Sequence, residues 1–282
     1  LGSRGLGDVY KRQEKAEVNM EYMSNLTGKT AEELASELRG VIFHDPTLGA
    51  IEDNEGWVTA DEYLSGNVRQ KLRQAEAAAA ENPSYQINVE ALRAAQPKDL
   101  DASEIEVRLG ATWIDRSYIK QFMFETFDTP RYLRYSMDVQ YSPYTAAWSI
   151  SSKTRISYND VAAWNTYGTD CVSAYEILED SLNLRDVQVF DTIEDADGKK
   201  KRVLNAKETT LAAQKQQLIR DAFKDWIWAD PQRRQALVRQ YNEEMNSTRP
   251  REYDGRHIVF AGMNPEITLR EHQRNAIAHV LY

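Results

Sequence analysis

Proline and glycine positions constrain this chain more than any other feature. Gly28, Gly40, the Asn82-Pro83 pair, Pro97, Pro130 and the Asp230-Pro231 pair cut it into pieces of helical length. Proline has no amide N–H to give a helix and disfavours helix in the residue before it. Glycine readily adopts the left-handed conformation that closes helices. Between these stops the apolar periodicity predicts a helix from Glu14 to Leu26 and a second from Thr30 to Leu38. The segment Thr30-Ala-Glu-Glu33 reads as a capping box for the second. Short strands are expected over 41–43 and 56–59, then one helix over 60–80 and another over 89–95. A further helix is expected over 115–127, and strands over 134–142 and 146–152. An amphipathic helix should span 172–182. A hairpin should pair 187–193 with 200–204 around Asp195-Ala-Asp-Gly198. Long helices are expected over 207–228 and 231–246, and a last one from Leu269 to Tyr282 that ends without a cap and so reads as cut. Residues 1–13, LGSRGLGDVYKRQ, resemble a translated sequencing-adapter scar and are set aside.

Composition excludes several classes. One cysteine cannot build a disulfide framework or a thiolate zinc cluster, and four scattered histidines argue against a histidine metal site. No apolar run approaches the roughly 18 residues of a membrane helix, and no signal peptide opens the sequence. The expectation is a cytoplasmic protein with no membrane contact. Cys171 reads as a packed thiol rather than a nucleophile.

Three tempting motifs fail on spacing. Leu26-Thr-Gly-Lys-Thr30 lacks the first glycine of a phosphate loop, because Met23 stands there. Asn82-Pro83-Ser84-Tyr85 resembles a methyltransferase base-gripping motif but follows an alanine-rich helix, so it reads as a turn. With Gly198 at loop position six, a calcium loop would need ligands at Ile193 and Leu204, which cannot bind the ion. What remains at the N-terminal end is helix, turn, capped helix and a wing-like hairpin. That order fits a DNA-contacting winged helix or a purely structural helical hairpin. Glu32, Glu33 and Glu37, set against Arg39, would repel phosphates and favour the second.

Charge is unevenly spread. Residues 205–282 hold 12 Lys plus Arg and 10 Asp plus Glu, a net of +2 in a chain of net −9. Arg233, Arg234, Arg239, Arg249, Arg251 and Arg256 are therefore the candidates for phosphate contacts, against a solvated, ion-paired helix face as the alternative. Trp226 and Trp228 lie two apart on a helix and should face different sides; one should pack, and the other could stack on a base.

The longest constellation lies near the end, where Ile267-Thr-Leu-Arg-Glu-His-Gln273 resembles the leading motif of Swi/Snf-type superfamily-two helicases. Further pieces accompany it in order: Val58 to Arg69, Gln96 to Leu100, Leu109 to Ile114, Tyr241-Asn, Asn246-Ser, Arg249 to Gly255 and Gly262 to Glu266. Together they resemble the large helicase–methyltransferase proteins of phages, plasmids and integrative elements. In that family an adenine-specific DNA methyltransferase precedes a Swi/Snf-type helicase. The resemblance covers nearly all of 14–282 and lies between the two sets of catalytic motifs. It implies Gln273 as the reader of the ATP adenine. It also implies ATP, Mg and S-adenosylmethionine as cofactors of a longer parent, with none held here, and double-stranded DNA and the flanking domains as partners. No catalytic residue, phosphate loop or methyltransferase motif falls within 14–282, so enzyme activity of this chain by itself is left open.

The expected fold is α+β. A mostly helical N-terminal region with a small wing-like hairpin spans 14–130, a mixed strand and helix region spans 131–205, and long helices over 206–282 lead to the start of a helicase lobe. The expected function is a connector and DNA-engaging region of an ATP-dependent DNA translocase fused to an adenine methyltransferase. The alternative is a structural spacer or protein-interaction module that binds neither DNA nor nucleotide.

Overall fold

The structure, a computed structural model, describes residues 18–51, 54–194, 199–253, 264 and 267–281. It is α+β, with short antiparallel hairpins among many helices. The chain divides into two compact units, residues 1–99 with 242–282, and residues 100–241.

The first unit opens with α1 (Met20–Thr27) and α2 (Ala31–Glu37). Asn19 caps α1, accepting from the Tyr22 N–H at 2.8 Å, and Gly28 closes it at φ 72°. The capping box forms: the Thr30 hydroxyl accepts from Glu33 N–H at 3.2 Å, and the Glu33 carboxylate accepts from Thr30 N–H at 2.9 Å. Strands β1 (Ile42–His44) and β2 (Trp57–Thr59) pair antiparallel, with Phe43 opposite Val58. Met20, Leu34 and Ile42 are buried together, so one side chain from each of α1, α2 and β1 makes this small core.

The single helix expected over 60–80 is two. Helix α3 (Ala60–Tyr63) stops before a two-residue strand, β3 (Gly66–Asn67), and α4 (Val68–Glu81) follows. Gly66 sits at φ 70°, where a helix cannot continue, and Asn67 accepts from Gln70 N–H at 2.9 Å to start α4. After a 3-10 turn at Pro83–Tyr85, α5 (Gln86–Ala94) folds back on α4 around Phe43, Tyr63, Val68, Ala75, Val89 and Leu92. A buried polar cluster ties this core to β1. Asn88 Nδ2 donates to His44 O at 2.8 Å and to Tyr63 Oη at 2.9 Å, and Tyr85 Oη lies 2.8 Å from His44 Nδ1. Burial pushes the Tyr63 hydroxyl up to about 12, so it remains a neutral hydrogen-bonding group.

The second unit has one core. Helix α6 (Arg116–Thr126), capped by Asp115, contributes Ile119, Phe122 and Met123. The strand expected over 134–142 is shorter, because Pro130 starts a helical turn, α7 (Arg131–Arg134), and only β4 (Val139–Ser142) is extended. It pairs with β5 (Ala147–Ile150). Helix α8 (Ala174–Leu182) packs on that hairpin, and its polar side chains serve the backbone of β5. Asn183 Oδ1 accepts from Trp148 N–H and its Nδ2 donates to Trp148 O, both at 2.9 Å, while Glu179 accepts from Ile150 N–H at 2.7 Å. The open edge of a two-stranded sheet is thereby satisfied without another strand.

The hairpin β6 (Phe190–Glu194) and β7 (Lys200–Leu204) follows; its turn, Asp195 to Gly198, lies outside the described residues. Helix α9 (Ala206–Ala229) buries Ala212, Gln216, Ile219, Phe223 and Ile227, spaced three and four apart as one helical stripe. Gln216 is the polar member: it accepts from Val187 N–H at 3.3 Å and donates to Arg185 O at 2.7 Å, pinning the chain before the hairpin. Helix α10 (Pro231–Glu244) begins at the expected proline. In the first unit the chain then forms β8 (Thr248–Arg249) and α11 (Glu271–Leu281).

Candidate nucleic-acid interface

At the N-terminal end, α1, α2 and the β1–β2 hairpin make the helix-turn-helix and wing that the sequence pattern calls for. Its exposed surface is acidic. Glu32, Glu33 and Glu37 lie on α2, and Lys29 is held by Glu37 at 2.5 Å. A phosphate approaching this helix would meet carboxylates at short range, which opposes binding.

The motifs that carried the resemblance meet in pairs. Arg69 Nε donates to Asn246 O at 3.0 Å, and its Nη2 pairs with Asp99. Asn246 Nδ2 donates to Lys98 O at 2.8 Å. Gly66 lies opposite Arg249 in the β3–β8 pairing. Arg251 Nε reaches Asp61 at 2.7 Å and stacks over Tyr253, whose ring touches His279 of α11 at 4.6 Å. Thus segments 58–69, 96–99 and 246–253, far apart in sequence, build one corner of the first unit. In the second unit Trp113 and Tyr241 make the same kind of pair, with ring centroids 5.1 Å apart. Gly110 is required there: it sits at φ 86°, and a Cβ would lie 2.3 Å from Leu182 O.

The candidate arginines have different surroundings. Arg249 pairs with Glu252 at 3.1 Å, and Arg251 with Asp61. Burial works against the Asp61 carboxylate, but the hydrogen bond and positive charge of Arg251 hold the group below its ordinary range. Arg233 is buried. Its guanidinium lies 3.5 Å from the Trp226 ring centroid, and its Nε and Nη2 donate to the carbonyls of Ile227 and Trp226. Arg234 and Arg239 are exposed, with no ion-pair partner among the described residues. Arg256 lies outside the described residues. Trp226 and Trp228 both pack against the core of the second unit, and Trp226 also donates to Glu125 at 2.7 Å.

Gln273 stands in the first turn of α11, exposed, where its Oε1 accepts from Arg270 N–H at 2.9 Å. This is the helix-side half of a capping box. Cys171 is exposed rather than packed. Local desolvation and the nearby Glu208 carboxylate raise its thiol above the ordinary value, which disfavours the thiolate. Among the described residues no group of three or more His, Cys, Asp or Glu side chains could hold a metal ion, and no helix is long and apolar enough to cross a membrane.

The exposed arginine and tyrosine side chains of α7 and of the segment after β5 are a feature the sequence pattern missed. That reading gave 134–142 to a strand, whereas 131–134 is a helical turn closed by Tyr135, which puts Arg131 and Tyr135 on one face.

Two family models match parts of the chain. Residues 108–247 match a family described as a domain of unknown function (DUF8437), which covers most of the second unit. No curated protein and no solved structure matches the chain. Residues 13–57 match the family described as probable helicase, winged helix domain, so the α1–α2–β1 segment is similar to a helicase-associated winged helix.

Proposed function

We propose that this chain is the connector and DNA-engaging region of an ATP-dependent DNA helicase or translocase fused to an adenine-specific DNA methyltransferase. The observation that carries the reading is the winged-helix match over 13–57, together with the Leu269-Arg-Glu-His-Gln273 segment opening α11. The meeting of 58–69, 96–99 and 246–253 in one corner supports it, because segments quoted for one resemblance then act as one structural piece. In this reading Gln273 receives the ATP adenine by exchanging its bond to Arg270 N–H for the adenine edge, since an amide side chain both donates and accepts. ATP and Mg would be held by a phosphate loop, and S-adenosylmethionine by the methyltransferase, both on other parts of a longer parent.

Two experiments test this. Sequencing the gene beyond the codon for Tyr282 should reveal a Gly-x-Gly-Lys-Thr-type loop within roughly 10–15 residues. In the full gene product, Gln273→Ala should raise the KM for ATP while GTP turnover stays unchanged. Absence of a phosphate loop downstream would overturn the reading. A second reading, a structural spacer, is favoured by the acidic face of α2 and by the internal partners of Arg233, Arg249 and Arg251.

A further inference from the structure

Between the β1–β2 hairpin and the turn that opens α5, the first unit holds a cavity of about 60 Å³. Direct contacts hold its walls together. His44 and Trp57 are cross-strand partners, with ring centroids 5.5 Å apart. Tyr85 Oη lies 2.8 Å from His44 Nδ1, which ties the 3-10 turn carrying Ser84 to β1. Arg39 forms a β-bridge with Ile42, which brings the end of α2 to the same place.

The polar groups lining this cavity favour a negatively charged acceptor. Trp57 Nε1, which can only donate, is buried and has no hydrogen-bond partner. Such a donor is costly to leave unmet in the interior. Arg39 and Ser84 line the same cavity. The Arg39 guanidinium has no ion-pair partner, and the Ser84 hydroxyl no hydrogen-bond partner, among the described residues. Asn88 is already committed, donating to His44 O and Tyr63 Oη. Among the described residues no Asp or Glu lines the cavity. Of the α2 acids, Glu33 caps its own helix and Glu37 pairs with Lys29. The remaining wall is apolar, with Ile42, Phe43, Ile51 and Ile87. An apolar wall disfavours a strongly hydrated ion such as phosphate and suits a short alkyl group. The volume admits only a few heavy atoms, since one water takes about 30 Å³ in the liquid.

We propose that this cavity binds a short-chain carboxylate such as propionate. The carboxylate accepts from Trp57 Nε1 and the Ser84 hydroxyl and pairs with Arg39, while the alkyl group lies against the isoleucines. The inference does not rest on the helicase or DNA-engaging reading, and its test uses no DNA.

The test is titration of the nitrogen-15-labelled full chain with sodium propionate at constant ionic strength, followed by NMR at the tryptophan indole N–H signals. The chain has six tryptophans, and the Trp57 signal is the one lost in Trp57→Phe. That signal should move downfield and saturate, with a Kd of about 1–10 mM, within the bound for a ligand of so few atoms. Arg39→Gln should weaken binding about five-fold or more, from loss of a charge-assisted contact. Arg39 is exposed, so a melting temperature matched to wild type checks the fold of this variant. Propionamide, the neutral isostere, and phosphate should leave the Trp57 signal in place. No saturable movement of that signal with propionate would overturn the proposal. So would equal movement with propionamide or phosphate, or an affinity that Arg39→Gln leaves unchanged. Each of these results leaves the helicase reading standing on its own tests.

Discussion

Single residues carry the most specific consequences. Gly110 cannot be replaced cheaply, because alanine there would meet Leu182 O at 2.3 Å and must also adopt φ 86°. Gly110→Ala should lower the unfolding free energy of the second unit by about 3 kcal/mol, read from urea denaturation. The Asp61–Arg251 pair has a pH signature. The folded-state pKa of Asp61 is depressed, so its contribution is present above the unfolded value near ~4 and is lost as pH falls through the folded value. Both side chains are partly exposed, at 26% for Arg251 and 39% for Asp61, so the pair is worth below about 1 kcal/mol. Asp61→Asn should therefore be slightly less stable than wild type at pH 7, and the difference should shrink as pH falls through the folded-state pKa of Asp61. A difference that persists in acid would mean the pair is not its source.

At the scale of elements, the hairpin β4–β5 depends on a neighbouring helix. Asn183 gives β5 the donor and acceptor that another strand would have given. Asn183→Leu should cost about 1–3 kcal/mol, because the Trp148 N–H and C=O would lose their partner in a partly buried site. Hydrogen exchange at Trp148 should rise in that variant while exchange in α6 stays slow. This arrangement was not legible in the sequence. Asn and Glu on a helix read as surface residues, and only the packing of α8 on the hairpin shows what they bond. Some local punctuation was legible: Thr30 caps where the pattern says and Pro231 starts α10, whereas Asn19 and Ser173 cap inside the helix spans expected over 14–26 and 172–182. The break at Gly66 was missed because Val68 to Ala80 continues the helical periodicity of Ala60 to Leu64 almost in phase. The pairing of β3 with β8, which depends on residues about 180 positions later, has no local trace. The candidate arginines were chosen by charge alone. Charge does not reveal that Arg233 is buried on Trp226 or that Arg251 meets Asp61.

The whole molecule comprises two compact units, each with its own buried apolar residues. Unfolding followed by calorimetry should resolve two transitions. Phe223 is fully buried, with its ring 5.1 Å from Phe122. Phe223→Ala should destabilise the transition of the second unit by about 3–5 kcal/mol and leave the other in place. A single transition shifted as one would mean the units do not unfold separately.

DNA engagement is the central functional claim, and the most direct measurement is a titration of the full chain into a labelled 20-base-pair duplex across a salt series. A helicase-related DNA-engaging region predicts saturable binding whose log affinity falls linearly with log salt, and which weakens further when exposed Arg234 and Arg239 are changed to glutamine. No binding at the lowest salt would contradict the claim and leave the chain a structural spacer.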